Sequence, residues 1–197
     1  MDRPTTPKDV LRRYLDVAHD AVRWKLDGLR EHDLRRPLTP TGTNMLGIMK
    51  HLAWVELGYF GEVFDRPSGV DLMAFVAEPN GDMYARADEA VDDVMALFDL
   101  AQRHAGETID ALDLDSEGHV PWWGDANPVN LQWICVHVAT EFHRHLGQLD
   151  ILREGLDGSV GMREGSENLP EGDEIDWPEY VARLQRLADE AEGPTAP

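Results

Sequence analysis

The sequence has a single cysteine, no long hydrophobic run and few basic residues, and each shortage excludes a class of protein. With only Cys135, the chain cannot form an internal disulfide, which favours a reducing cytoplasm. The first ten residues, MDRPTTPKDV, contain no apolar core, so we expect no signal peptide. No apolar run approaches the length of a transmembrane helix, so we expect a soluble cytoplasmic protein.

Basic residues are also scarce in comparison with acidic ones. The chain has 38 Asp and Glu against 18 Lys and Arg, which gives a net charge of −20. Nucleic acids and anionic membranes attract positively charged surfaces, so we expect neither as a partner. There is no internal repeat, no Gly-rich phosphate loop and no segment of alternating polarity that would predict a strand. A chain of 197 residues is long enough for one domain with a sizeable core.

What the sequence does contain is helical periodicity. Apolar residues recur three and four positions apart, which is typical of amphipathic helices with one buried face. We therefore predict an all-α protein whose main helices form a four-helix bundle, at 8–31, 41–64, 88–105 and 133–154. In the first helix, Tyr14 is predicted on the buried face, and His19 and His32 at the surface. Thr41 and Thr43 are expected to cap the second helix or to meet a ligand at the end of the bundle.

The chain divides after the fourth helix. Residues 1–158 form the predicted bundle domain, and residues 159–197 form an acidic extension rich in glycine. Within this extension, 177–191 shows helical spacing, and we predict a short terminal helix that packs on the bundle or on a second subunit.

The fourth helix carries polar residues in the face where aliphatic ones are expected. His137, Glu141 and His145 follow one another at intervals of four. Because a helix turns about 100° per residue, each step of four advances only about 40°, and the three side chains form one narrow stripe. A buried carboxylate is costly unless a cation meets it, and two imidazoles with a carboxylate suit a divalent metal. The alternative is a set of hydrogen-bonded core histidines with a simple Glu–His ion pair.

The second helix contains a further histidine inside an apolar run. His51 lies between aliphatic and aromatic neighbours in the segment LGIMKHLAWVE. Metal sites in bundle cores draw their ligands from neighbouring helices, so His51 is a candidate for a third ligand.

Two segments together resemble a known family. LGIMKHLAWVE and the later pattern H-x3-E-x2-R-H-x-G-Q-x-D-x-L-R-E resemble the DinB-like superfamily of four-helix metalloproteins. They are most similar to the actinobacterial branch that includes mycothiol-dependent maleylpyruvate isomerase, and the resemblance extends over roughly 10–158. It implies that His51, Glu141 and His145 hold the metal. Many members have histidine where this chain has Glu141, which points to the thiol-transferase branch. His137 matches no family ligand and is expected to line the pocket near the metal.

The resemblance also implies a chemistry. Three protein ligands leave a position open on zinc, the expected metal, and nickel, iron or manganese would suit a similar set. The family's cosubstrate is a small thiol, mycothiol in the first place, which a metal would activate as a thiolate for attack on an electrophilic substrate. Bacillithiol, or no thiol, remain alternatives. So do a hydrolase that uses metal-bound water with His137 as general base, and a non-catalytic protein whose metal joins two helices. Resemblance further implies a homodimer.

Other polar and aromatic residues are candidates for the surroundings of the metal. Gln148 lies one helical turn beyond His145 and is expected in the pocket. Trp122 and Trp123 lie in an irregular segment and are expected to form a hydrophobic lid, or else to pack simply against the protein. Arg144 and Arg153 are candidate partners for a carboxylate substrate, with solvent-facing helix charges as the alternative.

Overall fold

The computed structural model describes residues 4–170 and 174–192. Four long helices carry the fold: α1 (Pro7–Leu26), α3 (Met45–Phe60), α4 (Val91–Ala111) and α5 (Leu131–Asp157). A short helix α2 (Glu31–Arg35) follows α1, and α6 (Trp177–Glu192) lies in the C-terminal extension. The predicted all-α class is confirmed.

The remaining regular elements are short. Within residues 4–170, 3-10 turns occupy Glu62–Phe64, Leu72–Val76 and Gly124–Ala126. Two strands, β1 (Glu117–Gly118) and β2 (Val129–Asn130), form an antiparallel pair just before α5. Strands of two residues are too short to produce the alternation by which a sequence predicts a strand, so they were not foreseen.

The four long helices form a closed ring around one core. Helix α1 packs against α5, α5 against α3, α3 against α4, and α4 against α1. Helix α3 lies deepest, since nearly all of its residues are buried, whereas α1 and α4 each bury one face. Helices α3 and α5 are therefore neighbours, which places the predicted ligand helices side by side.

Helix ends differ from the predicted ones for local reasons. Asn44 caps α3, accepting a hydrogen bond from the amide of Gly47 at 2.7 Å, so neither Thr41 nor Thr43 is the cap. Helix α1 ends at Leu26, and Gly28 follows with a φ of +71°. That left-handed turn favours glycine and separates α1 from α2. The predicted first helix, 8–31, therefore merges α1 with the beginning of α2.

The large apolar residues of helix α6 are all exposed: Trp177, Tyr180, Val181, Leu184 and Leu187. Packing of this helix on the bundle or on a second subunit stays a prediction.

The sequence placed Tyr14 inside the core and His19 outside, and the structure reverses them. Tyr14 is 58% exposed, whereas His19 is 1% exposed. The Nδ1–H of His19 donates to the carbonyl of Leu15 at 2.7 Å, and its Nε2 lies 2.8 Å from Oε2 of Glu56, which is fully buried. A carbonyl oxygen only accepts, so the first contact requires a hydrogen on Nδ1, and the second is a hydrogen bond between the imidazole and the buried carboxyl group.

Replacing His19 by leucine should destabilise the fold strongly. Without His19, Glu56 becomes a buried charge with no counterion, which we expect to lower the free energy of unfolding by about 3–5 kcal/mol in urea denaturation. His32, whose side chain is 77% exposed, is the matched control, and His32→Leu should change stability by less than about 0.5 kcal/mol. The double variant His19→Leu/Glu56→Leu should recover much of the loss. Equal stability of the two single variants would contradict the buried pair.

Candidate metal centre

The three predicted ligands come together between two neighbouring helices. His51 projects from α3, and Glu141 and His145 project from α5 one turn apart. One ligand atom from each lies within 4.8 Å of the other two. Nε2 of His145 is 3.6 Å from Oε2 of Glu141, and the two imidazole centroids are 4.8 Å apart. We name this group the His–Glu cluster.

His51 is oriented by a carboxylate that the sequence did not reveal. Its Nδ1 lies 2.6 Å from Oδ2 of Asp82, and both side chains are mostly buried. With the Nδ1 hydrogen donated to Asp82, the lone pair on Nε2 is left for a metal, the usual carboxylate–histidine–metal arrangement. Asp82 belongs to the connection between α3 and α4, which contains several acidic residues without periodic spacing. The sequence offered one indication of such a residue: a histidine that binds a metal usually has a hydrogen-bond acceptor at its other ring nitrogen.

The connection is held against α3 at several consecutive positions. Asn44 donates to the carbonyl of Met83 at 3.1 Å, and Lys50 donates to the carbonyl of Tyr84 at 3.0 Å. Between them, a Cβ at position 47 would overlap the carbonyl oxygen of Met83, so Gly47 permits this close approach. These contacts fix the backbone directly after Asp82.

His145 is likewise oriented through its Nδ1 atom, by a residue of its own helix. Its Nδ1 lies 2.8 Å from Oε1 of Gln148, and donation to this amide oxygen leaves Nε2 unprotonated on the side of Glu141. Burial lowers the pKa of His145, which favours the neutral form that binds metals. Gln148, predicted to line the pocket, thus acts on the cluster through His145.

The donor set fits a divalent metal. Two neutral imidazoles and one carboxylate supply nitrogen and oxygen ligands of the kind that zinc, iron, nickel and manganese accept. Three protein ligands are fewer than zinc's usual four, which is typical of catalytic sites because one position stays open to a substrate or water.

The His–Glu cluster lies between two cavities of different character. The aromatic cavity, about 590 Å³, has walls formed by Trp54, Tyr59 and Trp122, and is bordered by His51, Glu141 and His137. The polar cavity, about 550 Å³, is bordered by His51 and His145 and lined by Thr41, Thr43, Asn80, Asp82 and Tyr84. Because His51 borders both cavities, a group bound at the cluster is reachable from either side.

His137 borders the aromatic cavity but is not part of the His–Glu cluster. Its ring packs between those of Tyr59 and Trp123, with both centroid distances 4.7 Å. Burial lowers the pKa of His137, so the ring is neutral at neutral pH.

The two tryptophans predicted as a lid have different positions. Trp122 borders the aromatic cavity, donates from Nε1 to the Tyr59 hydroxyl at 3.4 Å and is 57% exposed. Trp123 packs behind it against His137 and Trp133. Only Trp122 is placed to cover a ligand.

Neither arginine predicted as an anion partner reaches a cavity beside the cluster. Arg153 donates to the carbonyls of Lys25 and Asp27, each at 2.8 Å, and pairs with Asp157. It thus satisfies the orphan carbonyls at the end of α1. Arg144 is exposed on a different face of α5, beside Tyr14 and Val136. Neither side chain is thus among the residues that line the two cavities, and the exposed position of Arg144 fits the alternative of a solvent-facing helix charge.

Cys135 is unsuited to be a nucleophile. It is fully buried, and burial raises the pKa of its thiol to about 12. The nucleophile is the thiolate, and little of it is present at neutral pH.

The fold and the cluster define a class: a four-helix bundle with a candidate His/Glu metal centre between two adjacent helices. Comparison with protein families shows which one. Residues 10–158 match the family described as mycothiol-S-transferase, and since this covers most of the chain, the protein belongs to that family. The resemblance to the mycothiol-dependent DinB-like branch is thereby confirmed, and membership supports a thiol S-transferase enzyme.

Two further findings complete the comparison. No curated protein matches the sequence. Among helices in the described parts of the chain, none has the length and apolarity needed to cross a membrane.

Asp82→Asn should weaken metal binding without unfolding the protein. The amide keeps the size of the side chain but removes the charge that orients His51, so we expect zinc affinity to fall by about 10–100-fold in competition with a chromogenic chelator. Asp115→Asn, an exposed change of the same charge, should leave the affinity unchanged. Equal affinities in both variants would refute the role of Asp82.

The thiol of Cys135 should be inert in the folded protein. With a pKa of about 12, only about one thiol in ten thousand is ionised at pH 8, so a disulfide reagent such as DTNB should react at an appreciable rate only in denaturant. Cys135→Ala should retain the metal content of the wild type. Rapid labelling under native conditions would contradict the burial of this residue.

Proposed function

We propose that this protein is a metal-dependent thiol S-transferase that joins mycothiol to an electrophilic carbon. His51, Glu141 and His145 would hold the metal, with zinc as the preferred ion. The observation that carries the proposal is the convergence of one ligand atom each from His51, Glu141 and His145 within 4.8 Å of one another, in a chain that belongs to the mycothiol-S-transferase family.

A divalent metal at the cluster would supply the positive charge that lowers the pKa of a thiol at its open position. The chain's own residues supply the rest. Asp82 and Gln148 fix the two imidazoles, so the ligands are preorganised. Trp54 and Tyr59 form apolar walls that limit access of water to the aromatic cavity. His137 is neutral and borders the same cavity, so it can accept the proton that a thiol releases.

A free thiol cosubstrate also accounts for the unreactive cysteine. Cys135 is buried and protonated, so the chain supplies no thiolate of its own. The reaction then forms a bond between the cosubstrate's sulfur and a carbon atom, and the leaving group departs with the electron pair.

A second function is favoured by one observation, the neutral His137 beside Glu141 in the aromatic cavity. A neutral imidazole near an open metal position could remove a proton from water, as in a metal-dependent hydrolase. The presence or absence of a thiol requirement separates the two functions.

We extend the proposal to a homodimer in the cytoplasm. A second copy would cover the exposed apolar residues of α6, since an exposed apolar helix face is typical of an interface. A single reduced cysteine suits a reducing compartment.

Removing one ligand should abolish both metal binding and thiol transfer. Wild-type protein should contain about one zinc per chain by plasma mass spectrometry, and His51→Ala and Glu141→Ala should contain little, because two ligands rarely hold zinc. His143→Ala is the control, since this exposed α5 histidine bonds its own helix at the carbonyl of Ala139. A folded wild type that takes up no metal would refute the site.

The same preparations distinguish the candidate functions. Metal-loaded protein is incubated with an electrophile with and without mycothiol, and the products are identified by mass spectrometry. A thioether formed only with mycothiol supports transfer, whereas a hydrolysed product without thiol supports the hydrolase. Metal binding with no turnover of any kind, and a melting temperature that falls on metal removal, would favour a purely structural metal.

A further inference from the structure

The aromatic cavity offers apolar faces rather than hydrogen bonds. Its tryptophans have polar groups that are already used, since Trp54 Nε1–H donates to the carbonyl of Leu72 at 3.0 Å and Trp122 Nε1–H to Tyr59. The remaining wall includes Val70 and Met73. Ring faces and aliphatic carbons of this kind stabilise the apolar body of a ligand. A volume of about 590 Å³ is ample for a substituted aromatic ring.

The charged residues of this cavity are all acidic. Glu62, Asp71 and Glu141 border it, and no lysine or arginine of the described chain lines it. Glu62 and Asp71 are exposed at the rim, and an amide hydrogen bond from Met73 at 3.1 Å holds the Asp71 carboxylate in place. Like charges repel at short range. An anionic ligand that enters past Glu62 and Asp71 therefore meets repulsion, and no lysine or arginine of the lining offsets it.

The polar cavity, which shares His51 with the aromatic cavity, is lined mainly by polar rather than apolar groups. Hydroxyl and amide groups of Thr41, Thr43 and Asn80 line it. These groups are donors and acceptors suited to a hydroxyl-rich, uncharged ligand such as the sugar part of mycothiol. The two cavities therefore differ in the ligands that they suit.

We infer that the two cosubstrates reach the His–Glu cluster from opposite sides, with the thiol in the polar cavity and an uncharged, apolar electrophile in the aromatic cavity, where Glu62 and Asp71 select against anions. This inference rests on the proposed function and specifies its substrate class. For a benzyl halide the new bond joins sulfur to the benzylic carbon, the carbon–halogen bond breaks, halide leaves with the electron pair, and the thiol proton passes by way of His137 to solvent.

The test compares two electrophiles that share a reactive carbon. Methyl 4-(bromomethyl)benzoate is neutral, whereas 4-(bromomethyl)benzoate is an anion of nearly the same size. With zinc-loaded full-length protein and mycothiol, thioether formation is followed by mass spectrometry after subtraction of the uncatalysed rate. We expect kcat/KM for the ester to exceed that for the acid by about 10-fold or more, equivalent to a repulsion of about 1.4 kcal/mol.

Variants of the rim identify the source of the preference. Glu62→Gln/Asp71→Asn should raise kcat/KM for the acid several-fold and leave that for the ester nearly unchanged. Asp113→Asn/Asp115→Asn makes the same change in net charge at exposed positions away from the cavity and should alter neither value. Equal use of acid and ester by the wild type, or equal effects of both double variants, would overturn the inference.

A binding measurement separates this inference from the proposed function. The unreactive analogues methyl 4-methylbenzoate and 4-methylbenzoate are titrated against tryptophan fluorescence, to which Trp54 and Trp122 contribute. Tighter binding of the ester without any thioether product would leave the cavity inference standing and refute the transferase. Thioether formation together with tighter binding of the acid would support the transferase and refute the cavity inference.

The assignment of the thiol to the polar cavity has its own variant. Thr41 is exposed at the rim of this cavity, so Thr41→Val should fold and lose one hydroxyl contact. We expect KM for mycothiol to rise by about 3–10-fold, the effect of one hydrogen bond, with KM for the ester unchanged. If Thr41→Val changed KM for the ester but not for mycothiol, the assignment of the thiol to the polar cavity would be refuted.

Discussion

The short contact between Asp82 and His51 is the interaction on which the candidate site depends. It fixes the ring of the only cluster residue that α3 supplies, and it closes one wall of the polar cavity. The contact exists because the backbone around Asp82 lies directly on α3, held by Asn44 and Lys50 and allowed by the missing side chain of Gly47. A long connection thereby becomes part of the rigid scaffold, as a preorganised metal site requires.

A second polar contact fixes the helices themselves. His19 of α1 bonds Glu56 of α3, while its ring lies against Phe98 of α4 and Phe142 of α5, at centroid distances of 5.4 and 4.8 Å. All four long helices thus meet at one imidazole. Buried polar pairs add little stability in comparison with apolar packing, but they penalise every arrangement that separates them. Phe142 directly follows Glu141 in α5, so the contact of its ring with His19 also constrains the position of the His–Glu cluster.

The sequence predicted contacts between residues of one helix, but it missed contacts between residues that are far apart in the chain. Glu141 and His145 are one turn apart on one helix, so their spacing alone places them together, and family resemblance added His51. Asp82 lies in an aperiodic connection, and only the folded chain brings it to His51. His19 was assigned to the surface because its partner, Glu56, lies on another helix. The contacts of Arg153 were not predicted for the same reason, since the carbonyls that it binds belong to the end of α1.

The identity of the residue at position 141 connects the site with the proposed chemistry through charge. A divalent ion with two neutral imidazoles and one carboxylate has a net charge of +1, and the addition of one thiolate brings the sum to zero. With a third histidine in place of Glu141, the same sum would be +1. In a half-buried site beside an aromatic cavity, solvation of a net charge is poor, so a neutral assembly is favoured. Under the proposed function, Glu141 would therefore match the cluster to a single anionic sulfur ligand, and the acidic rim of the aromatic cavity would keep a second anion away from it.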